Sequence, residues 1–521
     1  MRSEAPVEGA DASTINSNAV SSARWLTVVL LLAMATALRF THLLSKPFWF
    51  DECFSTELAR INWRTFLHLL WWREANMMLY YLLLRAWLHF GQSEFLIRGL
   101  SALISVATLP AIYWVARLFY DRRVAVMAAA LFTFNAYSVR YAQEARGYAL
   151  FLLLGTLSSG LLISRIRRPV KRNRAAYVMT SILAVYAHLY ALLLIAAHWI
   201  TLRCLGRPDL GPNQNNAEFS AQMRRSWKIL TVAVAPLLVF VAKTGAGPIR
   251  WIPRPGLHDV LEFFEHLAGS ESWPLLAVYA LACLGAIAPL GLKVLQRDDT
   301  WENWRVQFLL IWLLFPVVLT FLLSFARPVF LARYMIFCLP PLVILAAAGL
   351  ARLRQPWMLA AALTLMMFLS LRGVFFIYGH DFDSERDASG AASNFILDQS
   401  QPGDGVLFHI AQGRVPYEFF RSVRAGVNTA SPSFTSQLGP EILFPYHGPG
   451  LTYRDFTGNP TPEFLRSLAP NHHRLWVFLI DNGPPENPDP TTRMLTTTMP
   501  ALFPHMREWQ FPKVDVRLYS Q

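Results

Sequence analysis

Residues 77–90 read Met-Met-Leu-Tyr-Tyr-Leu-Leu-Leu-Arg-Ala-Trp-Leu-His-Phe, and how this run meets a bilayer decides the fold. A span needs roughly 20 apolar residues, because about 30 Å of hydrocarbon is crossed at about 1.5 Å per residue. The run has about 14 and carries Arg85 and His89, so it is too short and too polar to cross. It reads as an interfacial helix, its Leu, Tyr and Trp side chains facing lipid and Arg85 snorkelling to the headgroups. Lying flat, it leaves the basic cluster Arg117, Arg122 and Arg123 on the inside, as the positive-inside rule prefers. If it crossed, that cluster would fall outside.

The rest of the chain carries the same membrane signature. Its 521 residues are 54% hydrophobic and only 16% charged, which excludes an ordinary soluble protein. The net charge of +13 raises nucleic acid as a partner, but no basic stripe with stacking aromatics is present. In a membrane chain such an excess of Lys and Arg marks cytoplasmic loops. Cys53, Cys204, Cys283 and Cys338 form no CxxC and lie far apart in sequence, so neither a zinc knuckle nor a disulfide framework is expected.

Apolar runs near 25–44, 98–118, 124–139, 147–164, 175–187, 189–204, 228–243, 273–293, 305–325, 333–350 and 357–377 predict about eleven transmembrane helices. The stretch 175–204 is split at His188 into two short helices, since a single tilted helix would reverse everything after it. The split is supported by charge: Arg165, Arg167, Arg168, Lys171, Arg172 and Arg174 then share the inside with Arg203, Arg207, Arg224 and Arg225. Residues 1–24 read as a disordered cytoplasmic tail. Ala35-Thr36-Ala37 mimics a signal-peptidase site, but a leader whose basic residues are Arg2 and Arg24 makes a poor n-region, so the first helix is expected to be retained.

After Tyr378 the long apolar runs stop and Pro, Gly, Asp and Asn increase. Strand-like pieces at Gly405–His409 and Leu475–Ile480, with a helical pattern over Ser384–Gln399, predict a soluble α/β domain over 379–521 on the outer face. The expected fold is therefore a multi-pass α-helical membrane protein, with its membrane domain over 25–378 and a small C-terminal α/β domain. No internal repeat or heptad pattern is present.

Four short motifs fall on the outer side of this topology. Lys46-Pro47-Phe48-Trp49-Phe50-Asp51-Glu52-Cys53 sets two adjacent carboxylates among aromatic rings, where desolvation favours a general base or a metal ligand. An alternative is helix capping, with Asp51 as N-cap and Glu52 at the positive dipole end. Arg140-Tyr141-Ala142-Gln143-Glu144-Ala145-Arg146-Gly147-Tyr148 places guanidiniums outside against the charge rule, which suggests an anion such as a phosphate. Arg327 to Arg333-Tyr334 repeats that chemistry. Interfacial Arg/Tyr belts, the first paired with Glu144, are the plainer alternatives. His188 between Tyr186 and Tyr190 is the fourth motif, with a structural histidine as its plainer reading. Glu74 and Asn76 face the same compartment and are pocket candidates. Asp381-x-Asp383 and Asp298-Asp299 read as solvated loop acids.

Together PFWFDE, LYYLLLRAWLHFG, SEFLIRGLSAL, QEARGYAL and RYMIFCLPPLVILAAAGL resemble the membrane glycosyltransferases of the GT-C superfold. The likeness covers roughly residues 25–350 and is nearest the bacterial family 39-like group. That group includes relatives of protein O-mannosyltransferases, lipid A aminoarabinose transferases and lipopolysaccharide-core galacturonosyltransferases. The resemblance implies inverting transfer of a hexosyl or pentosyl unit from a polyprenyl-phosphate donor to a lipid, glycan or protein acceptor on the outer face of the cytoplasmic membrane. It implies Asp51 as general base with Glu52 beside it, and Arg146, Tyr148, Arg333 and Tyr334 at the donor phosphate. It implies no fixed cofactor, with a divalent cation as an option. Relatives carry His-Pro-Pro or Lys-Pro before the LYY segment, whereas Arg73-Glu74-Ala75-Asn76 stands here. The family's donor or metal contact is thus left open among Arg73, Glu74 and Asn76. A multi-pass transporter or flippase for an anionic or lipid-linked substrate is the competing class, since scattered Arg and His could line a pathway.

Overall fold

The computed structural model describes residues 11–168, 170–208, 216–245, 252–269, 273–288, 291, 300–379, 387–426, 438–445, 458–480 and 488–521. Helix α1 (Asp11–Phe40) leads into α2 (Phe50–Arg60), α3 (Trp63–Trp72) and α4 (Met78–Trp87). Then come α5 (Glu94–Phe119), α6 (Arg122–Phe134), α7 (Ala136–Ala142), α8 (Tyr148–Arg167), α9 (Lys171–Ala187), α10 (Ala191–Cys204) and α11 (Asn216–Thr244). The bundle is completed by α12 (Leu257–Ala268), α13 (Trp273–Ile287), α14 (Trp301–Ser324), α15 (Leu339–Leu350) and α16 (Pro356–Gly379), with a 3-10 segment over Ala332–Cys338 entering α15.

Among the described residues, six helical stretches are long and apolar enough to cross a membrane: α5, α8, α11, α14, Ala332–Leu350 and α16. A seventh is reached if α12 and α13, which meet at 80°, count as one bent span. The other expected runs among the described residues form shorter or broken helices, Leu26–Phe40 and Ala191–Cys204 among them. The run at 124–139 is broken at Asn135, whose side chain accepts the Ser138 N–H at 2.8 Å and starts a new helix. The two segments flanking His188 are separate helices, as expected, but neither meets the length and hydropathy of a full span. Helix α12, amphipathic and interrupted by the left-handed Gly269 (φ 97°), has no counterpart in the expected spans. Helix α1 starts at Asp11, inside the expected tail; residues 1–10 lie outside the described residues, as do Asp298-Asp299 and Asp381-x-Asp383.

Small residues let the bundle close. A Cβ on Gly349 would stand 1.7 Å from the Ala282 carbonyl oxygen, and one on Gly285 would meet Gly349 at 3.6 Å, so α13 and α15 touch backbone to backbone. Pro340 and Pro341 occupy the first turn of α15, where a missing N–H costs nothing.

Helix α4 is 10 residues long, about half a span at 1.5 Å per residue. Its side chains correct the sequence reading. Tyr80, Tyr81 and Leu84 are fully buried rather than lipid-facing. Arg85 does not snorkel: it donates to the Ala59 and Ile61 carbonyls at 2.9 and 2.7 Å and packs on the rings of Trp63 and Phe66. The free carbonyls at the end of α2 offer this cation better partners than headgroups do.

The C-terminal unit runs α17 (Ser389–Gln399), β1 (Gly405–Phe408), α18 (Arg414–Ala425), β2 (Glu441–Phe444), α19 (Pro462–Leu468), β3 (Arg474–Ile480), α20 (Pro490–Leu502), β4 (His505–Phe511) and β5 (Val514–Ser520). Both strands expected from the sequence are present. The sheet order is β2-β1-β3-β5-β4, parallel across β2-β1-β3 and antiparallel across β3-β5-β4. Strand β3 is buried on both faces, because α17 and α18 cover one side and α19 and α20 the other. The unit is tied to the bundle beside the first motif. The Phe50 N–H donates to Asp387 Oδ2 at 2.9 Å, Phe419 of α18 stacks on Phe48 at 5.1 Å, and Arg60 lies over Phe419 at 5.3 Å.

Candidate active site

The site is assembled where the N-terminal ends of α2, α8 and α10 meet the 3-10 segment before α15. What fixes it is a fully buried ion pair. Arg98, one turn into α5, grips Glu52 with two hydrogen bonds, Nε to Oε1 at 2.8 Å and Nη2 to Oε2 at 2.6 Å. Its other N–H groups donate to the carbonyls of Leu43, Lys46 and Pro47 at 2.8–3.0 Å. Glu52 Oε1 also accepts the Ala145 N–H at 2.9 Å. One guanidinium thus pins the Pro-Phe-Trp-Phe loop to α5, and one carboxylate pins that loop to the turn carrying Arg146. Glu144 is buried within electrostatic reach of Arg98, on this anchoring side.

Asp51 and Glu52 both lie in the first turn of α2, where their charge suits the helix dipole. Neither caps it, since the N-cap is Trp49 and no side chain caps the first turn. The adjacent positions diverge by the helical step: Glu52 is 0% exposed, whereas the Asp51 side chain is 23% exposed. Asp51 faces Arg146, with Nη2 and Oδ2 3.5 Å apart. Arg146 Nη1 reaches the hydroxyls of Tyr81 and Ser55 at 3.2 and 3.4 Å. Its Nε is buried without a hydrogen-bond partner. Burial alone would lower the pKa of Arg146, but Asp51, Tyr81, Tyr148 and Glu74 more than reverse this and hold the guanidinium firmly charged. Glu74 shares this field: burial pushes its carboxyl up to about 7, with Arg146 pulling the other way and Asp51 adding to the rise.

His188 closes the far side. It ends α9, and its ring stacks on Phe151 at 5.0 Å and packs on Tyr334 at 4.8 Å and Tyr148 at 6.2 Å. Tyr334 in turn lies 5.1 Å from Tyr190 and 6.4 Å from Tyr148. Burial, with Arg146 and Arg333 nearby, pushes His188 down to about 3, so the imidazole is neutral. Its Nδ1 accepts the Tyr190 N–H at 3.2 Å, which leaves the proton on Nε2. That Nε2–H is buried and has no hydrogen-bond partner. Arg333 lies over Tyr334 at 5.9 Å and acts electrostatically on both Tyr148 and His188.

Asp51, Glu74, Arg146, Tyr148, His188, Arg333 and Tyr334 are therefore one neighbourhood. Three expected residues have other positions: Glu52 and Glu144 belong to the buried anchor, and Asn76 accepts the Leu189 N–H at 3.0 Å, bracing the turn that holds His188. Tyr81 and Ser55, which hold Arg146, were not among the expected site residues. Paired tyrosines in an apolar helix are a usable signal, since a buried phenol needs a partner. Among the described residues no group of three His, Cys, Asp or Glu is placed to hold a metal ion.

No protein-family model matches the chain, and no curated protein sequence does. Solved structures do. The apo crystal structure of ArnT from Cupriavidus metallidurans superposes with a TM-score of 0.59 at 13% identity, covering 96% of this chain and 98% of that one. The chain has the GT-C fold. The same ArnT bound to undecaprenyl phosphate gives a TM-score of 0.52 at 13% identity, over 94% and 97% of the two chains. The GT-C fold here thus includes the C-terminal α/β unit, since the match extends over nearly the whole of both chains. The oligosaccharyltransferase AglB from Archaeoglobus fulgidus, in complex with an inhibitory peptide and a dolichol-phosphate, gives 0.49 at 10% identity over 87% and 69%.

Arg98→Met leaves Glu52 charged, buried and unpaired, and is expected to cost about 3–5 kcal/mol of stability. Thermal unfolding of the purified protein in detergent measures it; a change under about 1 kcal/mol would mean the pair is not the anchor.

Proposed function

We propose that the chain is an inverting glycosyltransferase that moves a sugar from a polyprenyl-phosphate donor to an envelope acceptor. The observation that carries this reading is the pairing of a partly exposed carboxylate, Asp51, with the firmly charged and also partly exposed Arg146 at 3.5 Å, ringed by Arg333, three tyrosines and a neutral His188. A base beside a guanidinium whose Nε–H has no partner suits an acceptor that must lose a proton and a leaving group that gains negative charge.

In this mechanism the acceptor hydroxyl or amine attacks the anomeric carbon from the face opposite the phosphate. Asp51 takes the proton, the bond from the anomeric carbon to the phosphate oxygen breaks, and the lipid phosphate leaves with the electron pair. Arg146 and Arg333 bind that phosphate, and the Nε2–H of His188 is a neutral donor aimed at the same substrate. Asp51, rather than Glu52, is the base, because both Glu52 oxygens are already engaged. Tyr81 and Ser55 are positioning residues for Arg146. The active site and the C-terminal domain lie on the outer face of the cytoplasmic membrane and the N-terminus lies inside. The domain, seated on Phe48 and Phe50 next to Asp51, is suited to guide the acceptor. A transporter is disfavoured, since its ionisable groups would be expected near the bilayer midplane, whereas this cluster gathers at one end of the bundle.

Mass spectrometry of envelope lipids and glycans from cells with and without the protein tests the reading. One species is expected to lose a single sugar in the deletion and regain it on complementation; identical envelopes would overturn the assignment. Glu74 gives a pH test. A polyprenyl phosphosugar is a diester, so its charge does not change near neutrality, while Glu74 ionises as pH rises through about 7. The added negative charge beside Arg146 is expected to raise the donor KM above pH 7, and Glu74→Gln to flatten that rise. A wild-type KM that is constant from pH 6 to pH 8 would contradict it.

A further inference from the structure

The end of the bundle opposite Asp51 holds a second group of cations that sugar transfer leaves unused. Helix α8 starts at Tyr148 in the active site and runs 20 residues, about 30 Å, to the turn that carries Arg165. That length matches the hydrocarbon thickness, so Arg165 lies at the other interface. Its side chain is 1% exposed, yet Nε and Nη1 have no hydrogen-bond partner. Only Nη2 is engaged, donating to Gln222 Oε1 on α11. Its charged neighbours are Arg174, Arg207 and Glu218. The carboxylate of Glu218 is exposed and itself accepts from Gln222 Nε2 at 2.8 Å.

Arg165 and Arg207 converge on one ring, with guanidinium carbons 5.5 and 4.8 Å from the centre of Phe219. Arg207 is held in place by donating to the Ile166 carbonyl at 2.8 Å. The guanidiniums outnumber the acid in this cluster, and a buried cation with idle N–H groups is costly to fold. A tetrahedral oxyanion answers both deficits, because its oxygens match the guanidinium fork and its charge offsets the excess.

We propose that Arg165 and Arg207 form a binding site for a phosphate group, free or carried on a lipid headgroup, at the membrane face opposite the active site. The test uses the purified full-length chain in detergent, with native mass spectrometry reading ligand occupancy. One arm titrates phosphatidylglycerol in mixed micelles and the other inorganic phosphate. Arg165→Met and Arg207→Met are each compared with wild type and with Arg203→Met, which removes an exposed arginine of α10. Binding in at least one arm is expected to saturate, to weaken about tenfold or more in Arg165→Met and Arg207→Met, and to stay within about twofold in Arg203→Met. Because Arg165→Met removes an unpaired buried charge, the ligand-free thermal midpoint is expected to hold or rise, which separates lost binding from lost folding. Saturation with the lipid alone assigns the site to a headgroup; saturation with inorganic phosphate at similar concentration assigns it to the free ion. Equal weakening by Arg203→Met, unchanged affinity in Arg165→Met, or no saturable binding in either arm would overturn the proposal.

Discussion

The bidentate pair between Glu52 and Arg98 is the constraint on which the functional end of this molecule depends. Its two residues are 46 apart in sequence, and together they fasten four backbone groups, the carbonyls of Leu43, Lys46 and Pro47 and the amide of Ala145, to the first turn of α2, which carries Glu52. Burying two ions is costly, and the pair is tolerable because nearly every donor and acceptor on it is satisfied. What it secures is geometry. Asp51 is the residue before Glu52, and Arg146 is the residue after Ala145. Fixing Glu52 against Ala145 therefore sets Asp51 and Arg146 facing each other, 3.5 Å apart.

Around that anchor the charges are graded by burial. Glu52 and Arg98 are sealed, whereas Asp51 and Arg146 remain 23% and 12% exposed. Arg146 is held by hydroxyls and one carboxylate rather than by a full carboxylate fork, and its Nε–H has no partner. The aromatic wall of Tyr148, Tyr190, Tyr334 and Phe151 does two things to His188. It desolvates the ring, so that the imidazole stays neutral, and it leaves the Nε2–H directed without an acceptor. The C-terminal domain adds a last constraint, since Asp387 holds the Phe50 amide one residue before Asp51.

Much of this was legible in the sequence, and the part that was not has a common cause. Arg146 and Arg333 stood out because the sequence reading set them against the charge rule, and loop charges supported the break at His188. The two central strands of the C-terminal domain were read from their apolar runs. What sequence order hid were pairings between distant residues. Nothing in PFWFDE says that the second of two acids will meet Arg98, or that Tyr81 in an apolar run will face Arg146 instead of lipid. Arg85 was misread for the same reason, since the carbonyls that receive it end a different helix. Helix boundaries inside an apolar run were hidden too, as where the Asn135 side chain restarts a helix.

The central claim is that Asp51 is the base of a sugar transfer from a lipid-phosphate donor. Its most direct test is transfer by purified Asp51→Asn protein, with a labelled polyprenyl-phosphate sugar and membranes containing the acceptor. The account predicts that donor binding persists while transfer falls by about 10²–10⁴-fold. Transfer at the wild-type rate by a folded Asp51→Asn protein would contradict it.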